Sequence, residues 1–312
     1  MLVPALTAQI LATGLSAAPG PAAPPLRPWR AAGDGVLAEA ESLVGDDGAA
    51  ARVLEAGELR MLGQRIATAA CAWLAGVAGA EADLRASVAR FDRVIAGLEG
   101  GDPGLGIPTP ETDRRVLADI AAAHAIWDPL HVVLDRVLAE GPTRADVLHI
   151  AERSLPLLAA TDHLASVISG EYSDPTQLLQ VDAIAIDIAA RQETLAEEMA
   201  KDICLLALRL GDATAERAEL SRALTLFEAS LTALQDGMPE AGVAPPPTDA
   251  IRAELARVRA EWAPVRGTLA AVAGGGAVPE GETARIYHAL TVVTDHMVDI
   301  AKLYAEASRL GL

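Results

Sequence analysis

The sequence predicts an all-α protein made of two tandem up-down four-helix bundles that are related by internal duplication. Three observations lead to this fold class. The composition is 51% apolar and only 3% aromatic, with abundant Ala, and this favours packed helices over a sheet. Apolar residues recur at intervals of three and four along extended segments. The second half of the chain repeats the first, and an internal repeat outweighs most other signals for a fold.

The first 26 residues are predicted to be a signal-peptide-like segment, which places the protein in the periplasm. Residues 1–18 carry no charge, and the small residues Ser16 and Ala18 suit a cleavage site. The usual basic start of a signal peptide is absent, so a tail on a cytosolic protein is the alternative. No later segment is expected to reach the roughly 20 apolar residues that a membrane-spanning helix needs.

The first predicted repeat covers residues 47–172, after a short leading helix at about 30–44. Its four helices are predicted at about residues 49–78, 80–98, 111–139 and 144–170. A loop rich in Gly and Pro separates the second helix from the third. Pro129 and Pro156 lie inside the third and fourth helices and are expected to bend them.

The second predicted repeat covers residues 177–309, and rare residues fall in register with the first. The matched pairs are Cys71 with Cys204, Phe91 with Phe227, Trp127 with Trp262, and the Thr-Asp-His segments ending at His163 and His296, at separations of 133 to 136 residues. The chain has only two Cys and two Phe residues, so chance does not readily produce this register. Four helices are predicted again, at about residues 177–210, 213–235, 248–273 and 281–310.

The candidate functional site lies on the first helix, in the segment from Ala56 to Ala67. Arg60 and Gln64 are one turn apart and face the same way. Gly57, a turn before Arg60, removes a side chain from that face. A small anion or another helix backbone can approach a guanidinium group closely beside such a bare position.

This segment resembles the first helix of the PilJ-type family, the N-terminal domain of type IV pili methyl-accepting chemotaxis transducers. The family pattern A-G-x-x-R-M-L-S-Q-R-[MI]-A is matched from Ala56 to Ala67, with Gly63 in place of Ser. A related helix occurs in nitrate/nitrite sensor kinases of the NarX type, where paired Arg residues from two subunits hold the anion. The resemblance implies a ligand-sensing helical bundle with Arg60 as the main anion contact. The other residues that it implies in the site are Gly57, Met61, Gln64 and Arg65.

The second repeat keeps the apolar pattern of this helix but reverses its charge. Arg60, Gln64 and Arg65 correspond to Glu193, Glu197 and Glu198. Two hypotheses follow from this reversal. In the first, a small anion such as nitrate or nitrite sits at Arg60 and Arg65, across a homodimer of first repeats. In the second, Arg60 and Glu193 neutralise each other and the anion site is gone.

The remaining candidate residues have structural interpretations. Cys71 and Cys204 are expected to be small buried thiols, because a disulfide would need the two first helices side by side. His163 and His296 are expected to make structural hydrogen bonds. A joint site at His124 and His131 is disfavoured, because a proline lies between them. Trp127 and Trp262 are expected to fill the bundles at a helix bend.

Net charge and motif content exclude several functions. A net charge of −18 argues against nucleic acid and anionic membrane surfaces as partners. No phosphate-binding loop, nucleophile turn or metal-ligand spacing occurs, so we predict no enzyme activity, no cofactor and no metal site. The expectation is an exported sensory protein that binds a small anion and acts through a membrane-bound sensor or envelope protein. The alternative is a structural or adaptor bundle that docks on such a partner without a ligand.

Overall fold

The computed structural model describes residues 48–172 and 180–309, and long helices make up most of both segments. The first segment contains α1 (Ala49–Leu74), α2 (Ala80–Gly100), α3 (Arg114–Glu140) and α4 (Arg144–Tyr172). The second contains α5 (Gln180–Leu208), α6 (Ala213–Asp236), α7 (Asp249–Ala273) and α8 (Glu282–Arg309). The signal-like segment and the leading helix predicted at residues 30–44 lie outside the described residues.

Each half of the described chain is a four-helix bundle, as the sequence predicts. In the first bundle α1 packs against α2 and α4, and α3 closes the ring between those two helices. The second bundle repeats this arrangement with α5 against α6 and α8, closed by α7. Each core contains one stacked aromatic pair, Phe91 with Trp127 at 3.9 Å between ring centroids and Phe227 with Trp262 at 4.5 Å.

Side-chain caps and glycines fix the helix boundaries. Asp113 begins α3 by accepting hydrogen bonds from the backbone N–H groups of Arg115 and Val116, and Asp212 begins α6 in the same way. Thr143 and Asp146 bond each other reciprocally at the start of α4. Pro129 and Pro156 lie inside continuous helices, so neither residue ends the helix that contains it.

The connections between the second and third helices of the two bundles have the same form. Each contains one turn of 3₁₀ helix, Pro103–Leu105 in the first bundle and Pro239–Ala241 in the second. Each is closed by an isolated antiparallel bridge, between Asp102 and Ile107 and between Met238 and Val243. The side chains differ, so the common backbone form is independent support for duplication.

The two bundles pack on each other through α1 and α5, and a disulfide joins Cys71 to Cys204 across this contact. Their Cα atoms are 6.1 Å apart, within the range that a disulfide needs. The expectation of free buried thiols is therefore wrong, because the first helices do lie side by side. Residues at equivalent positions meet only near a two-fold axis, so a pseudo-two-fold axis passes beside this disulfide.

One bundle helix is long and apolar enough, by length and composition alone, to cross a membrane. This helix is α3, and the sequence pattern does not predict such a segment after the N terminus. In the described structure α3 packs against α2 and α4 and buries Trp127 and Leu130 in the core. We therefore interpret it as a bundle helix with an unusually apolar outer face.

Candidate functional site

Arg60 lies on α1 at the edge of the contact between the bundles, where carboxylates surround it. Its Nη1 atom is 3.1 Å from Asp162 Oδ1 on α4 and 3.8 Å from Asp187 Oδ1 on α5. Its Nε atom donates to the carbonyl oxygen of Gly57 at 3.4 Å. The Arg60 side chain thus folds back over the bare position at Gly57, and only 12% of it is exposed.

Arg65 lies one turn further along α1 and reaches into the second bundle. Its Nε atom is 2.9 Å from Glu197 Oε1 on α5, and its Nη2 atom is 2.9 Å from Asp295 Oδ1 on α8. Burial lowers the pKa of Arg65, but the two carboxylates raise it by more, so the guanidinium group stays charged. Two carboxylates therefore share this one guanidinium group.

Gln64 and Met61 are enclosed in the protein interior. The Nε2 atom of Gln64 donates to the carbonyl oxygen of Ser154 at 3.0 Å, and its Oε1 atom accepts from Lys201 Nζ at 2.9 Å. Thr68 Oγ1 donates to the carbonyl oxygen of Glu197 at 2.9 Å. These two contacts across the interface link the same pair of positions in opposite directions, as a pseudo-two-fold axis requires. Met61 belongs to the first hydrophobic core.

Glu193 stands at the position equivalent to Arg60 and is buried, with only 6% of the residue exposed. Burial raises the pKa of Glu193 to about 8, an effect that Arg60 opposes and Glu58 reinforces. No ion pair within 4.0 Å forms between Arg60 and Glu193 in the described structure. The charge of Arg60 is instead met by Asp162 and Asp187.

Sequence reasoning missed the carboxylates that hold the two arginines. Asp162 and Asp295 occupy the middle of the two Thr-Asp-His segments, and each bonds one arginine of α1. The repetition of this tripeptide was a usable signal, but the aspartates carry the contact and the histidines do not. Asp187 gave no such signal, because its equivalent in the first repeat is Leu54.

The geometry shows a charged network that links α1, α4, α5 and α8. Within residues 48–172 and 180–309, no group of three or more His, Cys, Asp or Glu side chains is arranged to hold a metal ion. The network keeps the basic residues of the first repeat against acidic residues of both repeats. Its chemistry is charge pairing at a helix interface.

Comparison with known families identifies the chain. The family model for the N-terminal domain of type IV pili methyl-accepting chemotaxis transducers, PilJ, matches it twice, at residues 44–152 and 176–285. No curated protein matches it. Domains of this family are periplasmic sensory domains without catalytic activity. The two matches cover more than half of the sequence, and the chain therefore belongs to the PilJ family as a tandem duplicate.

Proposed function

We propose that this protein is an exported sensory module in which the first-helix motif joins two PilJ repeats and does not hold a free anion. Its output passes through contact with a membrane-bound sensor or envelope protein. The observation that carries the proposal is the pairing of Arg60 and Arg65 with four carboxylates, two for each arginine.

Electrostatics supports this choice over a nitrate or nitrite site. An anion at Arg60 would have to displace Asp162 or lie beside it, and two like charges at 4 Å repel by about 1–4 kcal/mol. The net charge of −18 adds long-range repulsion of the same sign. The second repeat also covers the face of α1 that a homodimer of first repeats would use.

Calorimetric titration with nitrate and nitrite tests this proposal directly. We expect no saturable heat with the unmodified protein, because carboxylates already occupy the guanidinium groups. The matched control is Arg60→Ala, which removes the only basic group that the resemblance implies as the main contact. Saturable heat in the unmodified protein that disappears in Arg60→Ala would instead establish the anion site.

A structural role for Arg65 predicts a loss of stability on its removal. Arg65→Ala leaves Glu197 buried without its guanidinium partner, and we expect the free energy of unfolding to fall by about 2–4 kcal/mol. Denaturant unfolding monitored by circular dichroism measures this change. The control Arg85→Ala removes an exposed pair with Glu81 and should cost less than about 0.5 kcal/mol. An Arg65 kept for ligand binding would give a neutral or stabilised variant.

Fractionation of native cells tests the compartment and the route of output. We expect the mature protein in the periplasmic fraction, and crosslinking there should join it to an integral membrane or envelope protein. Recovery of the full-length protein from the cytosol would contradict export. In that case the N-terminal 26 residues would be a tail and not a signal segment.

A further inference from the structure

The first bundle has a groove between α2 and α3 that is rich in acidic side chains. The groove has a volume of about 420 Å³, which is within the range of small-molecule sites. Its lining includes Asp92 from α2 and His124, Asp128 and His131 from α3, together with the apolar Ile95 and Ala96. It lies outside the contact between the bundles and uses none of the residues of the charged network.

Each histidine of the groove is placed among carboxylates. His131 Nε2 is 3.0 Å from Asp92 Oδ2, and His131 Nδ1 is 3.3 Å from Asp135 Oδ2. His124 Nδ1 is 2.9 Å from Asp128 Oδ1, whereas its Nε2 atom is 3.9 Å from Glu99 Oε2. This Nε2 atom is buried and has no hydrogen-bond partner, so one polar position in the groove is unsatisfied.

The second bundle shows how the same groove is filled when its charge is balanced. Arg259 and Arg266 stand at the positions equivalent to His124 and His131. Arg266 pairs with Glu228, the counterpart of Asp92, and Arg259 Nε donates to Gln235 Oε1, the counterpart of Glu99, at 3.0 Å. Guanidinium groups therefore bridge the second and third helices at both levels of the second groove.

The first groove lacks these cations and carries more negative charge. Asp128 and Asp135 have Ala263 and Ala270 as their counterparts. With neutral imidazoles, the first groove holds the four carboxylates Asp92, Glu99, Asp128 and Asp135. The second holds one carboxylate and two guanidinium groups at the same positions. The first groove is thus complementary to a cation that comes from outside the chain.

We propose that the groove between α2 and α3 binds a linear organic polycation of the polyamine class. Its ammonium groups would take the two places that Arg259 and Arg266 take in the second bundle. His124 and His131 are seven residues apart on one helix, so the two acidic levels are about 10 Å apart along its axis. A polyamine with terminal ammonium groups at about that separation can reach both levels at once. The proposal does not depend on the function proposed above.

Titration calorimetry with spermidine on the whole protein tests this site. We expect saturable binding that weakens as salt is added, because it rests on charge pairing. Putrescine is shorter and reaches only one level, so it should bind at least about tenfold more weakly, which corresponds to about 1.4 kcal/mol. No heat with spermidine at millimolar concentration would overturn the proposal, and so would equal affinity for putrescine.

The second bundle supplies the decisive variant and its control. His124→Arg with His131→Arg installs the residues that the second groove already accommodates, and it should abolish spermidine binding while the melting temperature is kept. Asp128→Ala with Asp135→Ala, which also copies the second groove, should weaken binding if the first variant folds poorly. Glu228→Gln in the second groove should leave binding unchanged. Unchanged binding in both groove variants would show general attraction to an acidic protein and would overturn the site.

Discussion

Breaking the disulfide between Cys71 and Cys204 should lower the free energy of unfolding by about 5 kcal/mol. The bond closes a loop of 133 residues, and loop-closure entropy for a loop of that length gives about this value at 25 °C. The loss acts chiefly on the unfolded chain, which gains freedom when the bond is absent. Guanidinium chloride unfolding of the Cys71→Ala, Cys204→Ala variant beside the unmodified protein measures the difference.

Dithiothreitol provides the control for this prediction. It should shift the unfolding midpoint of the unmodified protein toward that of the double variant, and it should not affect the double variant at all. Both cysteines are buried, so slow reduction without denaturant is expected. An unfolding curve of the unmodified protein that stays the same after complete reduction would show that the bond does not constrain the two bundles.

Replacing Glu193 with Gln should stabilise the protein above pH 8 by up to about 4 kcal/mol. Burial raises the pKa of Glu193 from 4.5 to about 8, and each pKa unit is worth about 1.4 kcal/mol. The folded state therefore binds this proton more tightly than the unfolded state does. Stability falls as pH rises from about 4.5 to about 8, and it stays low above that range because the buried carboxylate is then charged.

Urea unfolding at pH 5 and pH 9 measures this effect. The Glu193→Gln variant should match the unmodified protein at pH 5, where the glutamate is protonated, and exceed it at pH 9. Part of the pH dependence should remain, since burial also raises the pKa values of Glu197 and Asp202. Glu261→Gln, at an exposed position on α7, is the control and should change nothing. A variant less stable than the unmodified protein at pH 9 would contradict a buried, strained charge.

Much of the fold was predictable because duplication leaves rare residues in register. The aromatic pairs and the Thr-Asp-His segments indicate eight helices from the sequence alone. Helical periodicity also places Arg60 and Gln64 on one face. Periodicity describes single helices, however, and it does not say which helix of another bundle covers that face. The partners Asp187 and Asp295 therefore came only from the structure.

The disulfide was missed although its signal was present in the same comparison. Cys71 and Cys204 are evidence for duplication, and their equivalence is also what a contact on a two-fold axis produces. The missing information was the position of that axis. Nothing in the local sequence distinguishes a helix face that meets its own counterpart from one that meets the rest of its bundle.

The opposite charges at Arg60 and Glu193 limit how the two halves can associate. A symmetric homodimer of first halves would set one arginine cluster against another, and second halves alone would gather glutamates in the same place. Either arrangement places like charges in a partly buried region, where repulsion is stronger than in water. Once joined in one polypeptide, each half was free to lose compatibility with itself. Separated halves mixed in solution should accordingly prefer unlike pairs.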